Sequence, residues 1–299
     1  AAAAPDGPGD ARELVANAAR AEEVVALLEQ GTWSERERLV SWLLGVVPAL
    51  ALSKHGCWVV QKALEVAQTP DRNALVAQLE KCVNDLWRSR HGNFVLTRMI
   101  ELVPSASIGF VLRELAGQGA EVARHRFGCR ALEQLLAHCS DEQLRGLSAE
   151  LVEESAGLAA HPYGNFVVQA MLEHGSATSR SRLLSALLPL LPSFAMHREA
   201  CHVVQKAILW SGAEGQRAIV DVLLQSESPY SLVDIACCRH GSFTVEELAN
   251  VQVCSALLRD RLVRGMPELS ASSRGRQVLE RFHLAGPAPA APAAPPCGP

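Results

Sequence analysis

A twelve-residue pattern recurs along this chain at an almost constant spacing. It occurs as KHGCWVVQKALE, RHGNFVLTRMIE, RFGCRALEQLLA, PYGNFVVQAMLE, REACHVVQKAIL and RHGSFTVEELAN. The residue after the small Gly or Ala, called the key residue below, falls at Cys57, Asn93, Cys129, Asn165, Cys201 and Ser242. The first four intervals are 36 residues, and the last is 41 because of an insertion around QSESPYS. Repetition at such a period predicts a solenoid, in which each repeat buries its apolar face by stacking on its neighbours.

The composition favours helices as the elements of this solenoid. The chain is 48% apolar and only 5% aromatic, with a bias toward Leu, Ala, Val and Glu. Helical patterns over residues 71–86 and 141–154 precede the recurring segments, so each repeat is predicted to be a helix, a turn and a second helix. Degenerate copies, ARAEEVVALLEQ and SRGRQVLERFHL, predict atypical end repeats that cap the array. An all-α fold of about eight repeats, six well formed and two degenerate, is expected.

The array also sets the expected domain boundaries. Residues 11–285 form the predicted repeat domain, and the Ala/Pro/Gly-rich residues 1–10 and 286–299 are predicted to be disordered tails. The nine cysteines show no metal-ligand spacing, which favours reduced thiols in an intracellular protein with no metal site and no cofactor. The longest apolar run, about residues 39–52, is too short to span a bilayer, so no membrane association is expected. The four tryptophans outside the recurring segments, Trp33, Trp42, Trp87 and Trp210, are predicted to be core.

Each second helix has one face that the core does not explain. The apolar residues two and three positions after the key residue supply the core, while the key residue, its successor and the residue four positions on share the other face. These three residues, called the triplet, are Cys57/Trp58/Gln61, Asn93/Phe94/Thr97, Cys129/Arg130/Glu133, Asn165/Phe166/Gln169, Cys201/His202/Gln205 and Ser242/Phe243/Glu246. Every middle member is flat, and repeated flat groups are what unpaired bases stack on. The outer members carry groups that can meet the hydrogen-bonding edge of a base.

In these triplets and their period, the chain resembles the Pumilio (PUF) family of RNA-binding repeat proteins over about residues 11–285. The resemblance implies a right-handed α-solenoid, a crescent whose concave face is lined by the second helices. It also implies binding of single-stranded RNA, one base per repeat, antiparallel to the chain. The middle members Trp58, Phe94, Arg130, Phe166, His202 and Phe243 would then stack on bases, and the outer members would read base edges.

Carried over residue by residue, the resemblance predicts a base for five of the six repeats. Asn165 with Gln169 resembles a uracil reader. The carboxylates in the Ser242/Glu246 and Cys129/Glu133 pairs would accept from N1–H and N2–H₂ of guanine, and the Cys57/Gln61 and Cys201/Gln205 pairs resemble adenine readers. Asn93 with Thr97 departs from the pattern because Thr is too short to replace Gln. Read from the C-terminal repeat backwards, the expected core is 5′-GAUGnA-3′; the end repeats, with Glu22 and Arg276 at the key position, also depart from the pattern.

The net charge of −4 and the pI near 6.2 argue against a general polyanion binder. The nine residues around each key position, however, sum to +5 over the six repeats, which leaves −9 for the rest of the chain. Five cations, Lys54, Arg90, Arg126, Arg198 and Arg239, lie three residues before a key residue, near a helix start where the macrodipole opposes positive charge. This repeated placement indicates a compensating anion, either RNA phosphate or first-helix carboxylates such as Glu80 and Glu154. Lys62, Arg98 and Lys206, five residues after a key residue, are further candidates for phosphate contacts.

Other functions stay open at this point. A HEAT- or armadillo-like scaffold that grips a protein is the main alternative, although the polar triplets do not favour it. An enzyme lacks support because no Gly-rich phosphate loop, HExxH or GxSxG motif is present. The resemblance implies a monomeric cytoplasmic adaptor that binds 3′ untranslated regions of messages and recruits effector proteins through its convex face. A nuclear or nucleolar role in ribosomal RNA processing is the alternative within the same family.

Overall fold

The computed structural model describes residues 10–253 and 255–284, and helices are the only regular elements in those two stretches. The α-helices are α1 (Ala18–Gln30), α2 (Trp33–Leu43), α3 (Val47–Leu52), α4 (Gly56–Val66), α5 (Thr69–Leu79), α6 (Val83–Arg88), α7 (Gly92–Leu102), α8 (Gly109–Leu115), α9 (Gly119–Arg124), α10 (Gly128–His138), α11 (Asp141–Glu153), α12 (Ser155–Ala159), α13 (Gly164–His174), α14 (Ala177–Leu187), α15 (Leu191–Met196), α16 (Ala200–Trp210), α17 (Gly212–Gln225), α18 (Leu232–Cys237), α19 (Gly241–Leu248), α20 (Ser255–Arg264), α21 (Met266–Ala271) and α22 (Ser273–Arg281). Short 3₁₀ helices span Ala11–Val15, Glu80–Cys82, Ser105–Ser107 and Leu188–Leu190.

The predicted tails fall almost entirely outside the described residues. The N-terminal tail contributes one described residue, Asp10, whose side chain accepts a hydrogen bond from the Arg12 N–H at 3.0 Å and caps the first 3₁₀ helix. The chain divides into two compact units, Ala1–Arg180 and Ser181–Pro299. None of the helices in the described part of the chain is long and apolar enough to cross a membrane.

In the described part of the chain, seven repeats contain three α-helices where the sequence predicted two, and only the 3₁₀ helix Ala11–Val15 precedes α1 in the first repeat. A short helix of five or six residues, such as α6 or α12, occupies the predicted turn between the first and second helices. The single helix predicted over residues 71–86 is therefore interrupted: Cys82 leaves the helical region at φ −136° and ψ 21°, and α6 begins after it. This break turns Val83, Leu86 and Trp87 into the core, where they are at most 1% exposed.

Successive second helices lie side by side within each unit. In the first unit α1 contacts α4, α4 contacts α7, α7 contacts α10 and α10 contacts α13; in the second, α16 contacts α19 and α19 contacts α22. The apolar residues predicted to supply the core, such as Val59, Val60, Val167 and Val168, are fully buried. The eight long helices at this spacing, from α1 to α22, are consistent with about eight repeats.

The glycine that opens most second helices permits close approach to the preceding short helix. A Cβ at Gly128 would lie 2.7 Å from the Val122 carbonyl oxygen, and one at Gly164 would lie 2.9 Å from Leu158 Cδ2. At these two positions even a methyl group would require the neighbouring atoms to shift, and a larger side chain would push the two helices apart. The fifth copy of the pattern has Ala200 in this place.

Two of the four tryptophans predicted to be core are at the surface. Trp87 is buried, but Trp33 is 63% exposed and Trp210 is 40% exposed. Both lie at a helix end: Trp33 is the first residue of α2 and Trp210 is the last residue of α16. A side chain at a helix end has a neighbouring helical turn on one side only. Apolar character alone therefore did not predict the exposure of these two tryptophans.

Candidate functional site

The second helices begin at a capped turn that the sequence pattern did not reveal. In five of the repeats a polar side chain four residues before the key residue accepts a hydrogen bond from the N–H that opens the helix. These side chains are Ser53, Ser89, His125, His161 and His197, at acceptor distances of 3.0, 3.0, 3.2, 3.2 and 3.3 Å. The cap satisfies one of the N–H groups that a helix start leaves unpaired and fixes the direction of the helix. The recurrence of Ser or His at this position was the available signal.

The two capping histidines of the first unit are held neutral by their surroundings. Burial lowers the pKa of His125, and the nearby charges of Arg88 and Arg126 lower it further. Burial is also the main cause of the lowered pKa of His161, with Arg124 adding to it. Since Nδ1 must accept from the backbone, protonation of that atom would destroy the cap.

The middle members of the triplets point into solvent. Trp58 is 65% exposed, Phe94 44%, Phe166 48% and Phe243 47%, and Arg130 and His202 are exposed as well. Exposed rings of this size are costly in water, and here they recur once per repeat on one face of successive helices. Four aromatic rings, one guanidinium and one imidazole are thereby available as flat contact surfaces.

The key residues, in contrast, are buried. All six are at most 3% exposed. Their donor groups bond to backbone carbonyls in the capped turn: the Asn93 and Asn165 side-chain amides each donate to the carbonyl four residues earlier at 2.9 Å. The Cys57 and Cys201 thiols donate to the carbonyls three residues earlier at 3.4 and 3.3 Å. The helical pattern identified the face but not the depth of these residues, which depends on the adjacent repeat.

The third members lie partly exposed between the key residues and solvent. Gln169 Nε2 donates to Asn165 Oδ1 at 2.8 Å, and Gln61 Nε2 donates to the Cys57 carbonyl at 3.0 Å. Gln205 Nε2 has no partner among the described residues although the atom is buried. Such an atom is expensive to leave unpaired.

Burial changes the proton affinity of two members of the Cys129 triplet. It raises the pKa of Glu133, an effect that the positive charge of Arg130 opposes. It also raises the pKa of Cys129 to about 11, and the carboxylate of Glu133 contributes to this. The thiol is therefore protonated at neutral pH, and Glu133 takes up a proton more readily than an exposed glutamate does.

The two carboxylates predicted to read guanine, Glu133 and Glu246, do not have equivalent surroundings. Because α19 has eight residues and α10 has eleven, Glu246 lies in the last turn of its helix and Glu133 lies in the middle. The Glu246 carbonyl accepts from the Ala249 N–H at 3.2 Å, which closes the helix, and the macrodipole disfavours a negative side chain there. The Glu246 carboxylate is half-buried and has no partner among the described residues, since the Ser242 hydroxyl lies 3.5 Å from the Arg239 carbonyl oxygen instead.

Two complete triplets of the first unit and the Phe166 ring of the next triplet line one cleft of about 540 Å³. Its walls come from three second helices and the turns before them: Asn93, Phe94, Thr97, Glu101, Arg126, Cys129, Arg130, Glu133, Gln134, Tyr163 and Phe166. The flat groups of successive repeats therefore share one open space with the polar third members. A second cleft of about 400 Å³ lies between α1 and α4, where Glu22 and Glu29 of the degenerate first repeat share its lining with His55 and Trp58.

The five cations that precede the key residues are exposed at the capped turns. Within the described residues, the side chains of Lys54, Arg90 and Arg239 have no hydrogen-bond or ion-pair partner. The Arg126 guanidinium lies 4.6 Å from the Phe127 ring centroid, and Arg198 pairs with the adjacent Glu199 at 3.4 Å.

The two carboxylates suggested as alternative partners for these cations are engaged elsewhere. Glu80 pairs with Arg113 at 3.6 Å, and Glu154 pairs with Arg124 at 2.7 Å. Arg113 lies on the first helix α8, and Arg124 is the last residue of the short helix α9, so neither belongs to the five cations. The alternative of inter-repeat ion pairs from these two residues to the five cations is therefore wrong.

The cations five residues after a key residue differ from the previous set because two of them join an inter-repeat network. Lys62 pairs with Glu29 and Glu65 at 2.8 Å each, and Arg98 pairs with Glu65 at 2.6 Å and Glu101 at 2.9 Å. This network links α1, α4 and α7, and it occupies both cations. Lys206 is half-buried. The described residues include no cluster of His, Cys, Asp or Glu that could hold a metal ion.

Comparison with known proteins agrees with this geometry. The sequence model of the Pumilio-family RNA binding repeat matches residues 47–80, 118–152, 156–188 and 192–224. The matched stretches contain the key residues Cys57, Cys129, Asn165 and Cys201, while Asn93 and Ser242 lie outside them. No curated protein matches the sequence.

Several solved structures share the fold. PUF-8 in complex with PBE-RNA superposes with a TM-score of 0.83 and 25% identity, over 92% of this chain and 81% of that chain. The Puf3 RNA binding domain bound to site B of the Cox17 RNA 3′ UTR recognition sequence gives 0.81 and 22%, over 90% and 83%. The RNA-binding domain of yeast Puf5p bound to SMX2 RNA gives 0.69 and 17%, over 91% and 84%. The prediction of an all-α solenoid of Pumilio-type repeats is confirmed.

Proposed function

The chain is a Pumilio-repeat protein, and from that premise we propose that it binds single-stranded RNA sequence-specifically and reads about one base per repeat. The exposed flat side chains, one per repeat, support this proposal more than any other observation. A protein-docking scaffold has no need of Trp58, Phe94, Arg130 and Phe166 in the same register beside amide and carboxylate groups. An unpaired nucleic acid strand uses both kinds of group, since its bases have π faces and hydrogen-bonding edges.

The proposed core sequence is 5′-GAUGnA-3′, read from Ser242/Glu246 back to Cys57/Gln61. The hydrogen bond from Gln169 to Asn165 supports the uracil assignment because it orients the glutamine amide. At the two proposed adenine positions, the amides of Gln61 and Gln205 would meet N1 or N6 of the base. The carboxylate of Glu246 supports the guanine at the 5′ end, since no described group competes with a base for its oxygens.

The backbone of the RNA would be held by the cations at the capped turns. Lys54, Arg90 and Arg239 are free to meet phosphates, and Arg126 and Arg198 stand at the same position in their repeats. Lys62 and Arg98 are weaker candidates because carboxylates already neutralise them. With so few free cations, stacking and base edges would dominate affinity, and its salt dependence would be shallow.

The biological role follows from the same proposal. A monomeric reader of a short motif suits an adaptor on messenger RNA, bound at 3′ untranslated regions in the cytoplasm, with effector proteins on the convex face. No catalytic step is required of it, and it needs no cofactor. Ribosomal RNA processing in the nucleolus is the second role compatible with the same RNA-binding surface.

The proposal is tested by measuring RNA affinity when the flat surfaces are removed. Fluorescence anisotropy would compare the wild-type chain with the combined variant Trp58→Ala, Phe94→Ala, Phe166→Ala on a labelled RNA that contains the core. Each ring is worth about 1–3 kcal/mol of stacking, so the combined loss should exceed about 100-fold even when the losses add only in part. All three rings are 44–65% exposed, so the variant should stay folded.

Trp33→Ala is the matched control, because Trp33 is 63% exposed but lies on a first helix. It should bind as the wild type does. Equal binding by the wild type and the combined variant would refute the proposal. Equal affinity of the wild type for the core RNA and for a scrambled RNA of the same composition would also refute it.

A further inference from the structure

The Asn93 and Asn165 repeats of the first unit have the same key residue and differ in the third member of the triplet. Asn93 and Asn165 occupy equivalent positions, are each 1% exposed, and donate to a turn carbonyl at the same distance. The third member is Thr97 in one repeat and Gln169 in the other. The pair is therefore a natural comparison of a short and a long reading side chain.

At the Asn165 repeat the two side chains form one reading unit. Gln169 Nε2 donates one of its two hydrogens to Asn165 Oδ1 at 2.8 Å. The second hydrogen and the Oε1 atom remain, so the glutamine offers a base one donor and one acceptor in a fixed orientation. The glutamine therefore selects a base whose hydrogen-bonding edge carries a matching acceptor and donor.

At the Asn93 repeat neither side chain offers such a group. The Thr97 hydroxyl lies 3.0 Å from the Asn93 carbonyl oxygen and 3.1 Å from that of Phe94, so its only hydrogen is used within its own helix. Asn93 Oδ1 has no partner among the described residues and is closed off from solvent. The side chain of threonine also ends two atoms short of where a glutamine amide would stand.

The flat surfaces at this repeat are nevertheless intact. Phe94 is 44% exposed, Arg130 of the next repeat is exposed, and both line the 540 Å³ cleft together with Thr97. A base can therefore lie between a ring and a guanidinium, and stacking of this kind tolerates any base. The short Thr97 leaves room for either a purine or a pyrimidine.

We propose that the Asn93/Thr97 repeat holds its nucleotide by stacking alone and accepts all four bases, so that the chain reads five bases around one spacer position. This inference rests on the RNA-binding function proposed above. It makes Thr97 the residue that sets the degeneracy, through a hydroxyl turned back to the helix and a length that cannot reach the base edge.

The test uses two sets of four RNAs and a reciprocal exchange of the third members. One set varies the fifth base of the core, opposite Asn93/Thr97, and the other varies the third base, opposite Asn165/Gln169. The wild type should bind the first set with less than about twofold spread and should prefer uracil in the second set roughly tenfold, the effect of two ordinary hydrogen bonds. Thr97→Gln should create a uracil preference at the fifth base, and Gln169→Thr should abolish the preference at the third.

Thr97→Val provides a second, nearly isosteric variant that removes only the hydroxyl. Its affinity for the four RNAs of the first set should equal that of the wild type within about twofold. A preference above about fivefold in the wild type at the fifth base would overturn the inference while leaving RNA binding intact. So would a change of preferred base in Thr97→Val. Failure of every RNA in both sets to bind better than a scrambled RNA would instead overturn the proposed function, and the inference with it.

Discussion

Glu133 offers the most demanding test of base reading because its environment opposes the charge that reading requires. Its carboxylate is partly buried in the cleft beside Phe94 and Phe166, without a hydrogen-bond partner among the described residues. Burial raises its pKa, with Arg130 opposing the effect. Glu133→Gln removes the charge and leaves an amide of the same length, which makes the triplet resemble the proposed adenine readers Cys57/Gln61 and Cys201/Gln205.

The magnitude follows from the hydrogen bonds that are exchanged. Guanine presents two donors to the carboxylate, and a glutamine can accept only one of them while its own amide hydrogens face the other. Losing one hydrogen bond to a charged group costs about 1.5–3 kcal/mol, or roughly 10- to 150-fold in affinity for RNA with guanine at the fourth base. Affinity for RNA with adenine there should rise. The unbound protein should become more stable at neutral pH, since a charge that burial disfavours is gone.

The assay is a titration of both RNAs at several pH values. Wild-type affinity for the guanine RNA should weaken on acidification, beginning at a higher pH than an exposed glutamate would give, because the raised pKa brings protonation closer to neutrality. Glu133→Gln should remove that part of the pH dependence, while Glu142→Gln, which removes an exposed charge from the first helix α11, should retain it. A Glu133→Gln variant that keeps its guanine preference and its pH profile refutes the assignment of this carboxylate as a reader.

Three further outcomes are expected from the repeat framework itself. Because the pKa of His125 is lowered, its contribution to stability is complete above the unfolded-state pKa of about 6.5 and is lost as the pH falls through the folded-state pKa. The variant His125→Ser has the capping residue that Ser89 provides in another repeat. Its urea midpoint should therefore drop less between pH 7.5 and pH 5 than that of the wild type. Gly128→Val should destabilise the protein by about 1–3 kcal/mol through overpacking. Gly146→Val is the control and should destabilise the protein far less, because a Cβ at Gly146 would meet nothing within 4 Å. Similar thermal midpoints for the two variants would contradict the argument that Gly128 permits close approach of two helices. Cys129, buried and with a pKa raised to about 11, should react with a thiol reagent at pH 7.5 only when denaturant unfolds the chain, and rapid labelling of the native protein would contradict this.

The site was only partly visible in the linear sequence. The spacing identified the six triplets, and the middle members are as exposed as that pattern requires. The capping role of Ser53 or His125 was not recognised, because it depends on a hydrogen bond across the turn between the short helix and the second helix, and the sequence did not predict the short helix. The sequence predicted Lys62 and Arg98 as candidates for phosphate contacts, yet carboxylates of their own and neighbouring second helices neutralise them.

The two predicted guanine readers show the same limit of the linear pattern. Glu133 and Glu246 stand at the same distance from their key residues, and the sequence therefore assigned them one role. In the structure, burial acts on Glu133, whereas Glu246 lies in the final turn of a shorter helix. The point at which α19 ends was not apparent from the residues of the pattern, because the repeat predicts where a helix begins more sharply than where it stops.

The sequence alone determined the helical class, the repeat period and the kinds of side chain that each second helix presents, because periodicity along one helix depends only on 3.6-residue geometry. Tertiary structure decided how deep each side chain lies and which of its polar atoms are already used. Lys62 is an example, because Glu29 of the neighbouring helix α1 pairs with it at 2.8 Å, whereas the side chain of Lys54 has no such partner among the described residues. Depth and hydrogen-bond partners are set by the packing of helices against one another, and the order of residues along a single helix does not contain that information.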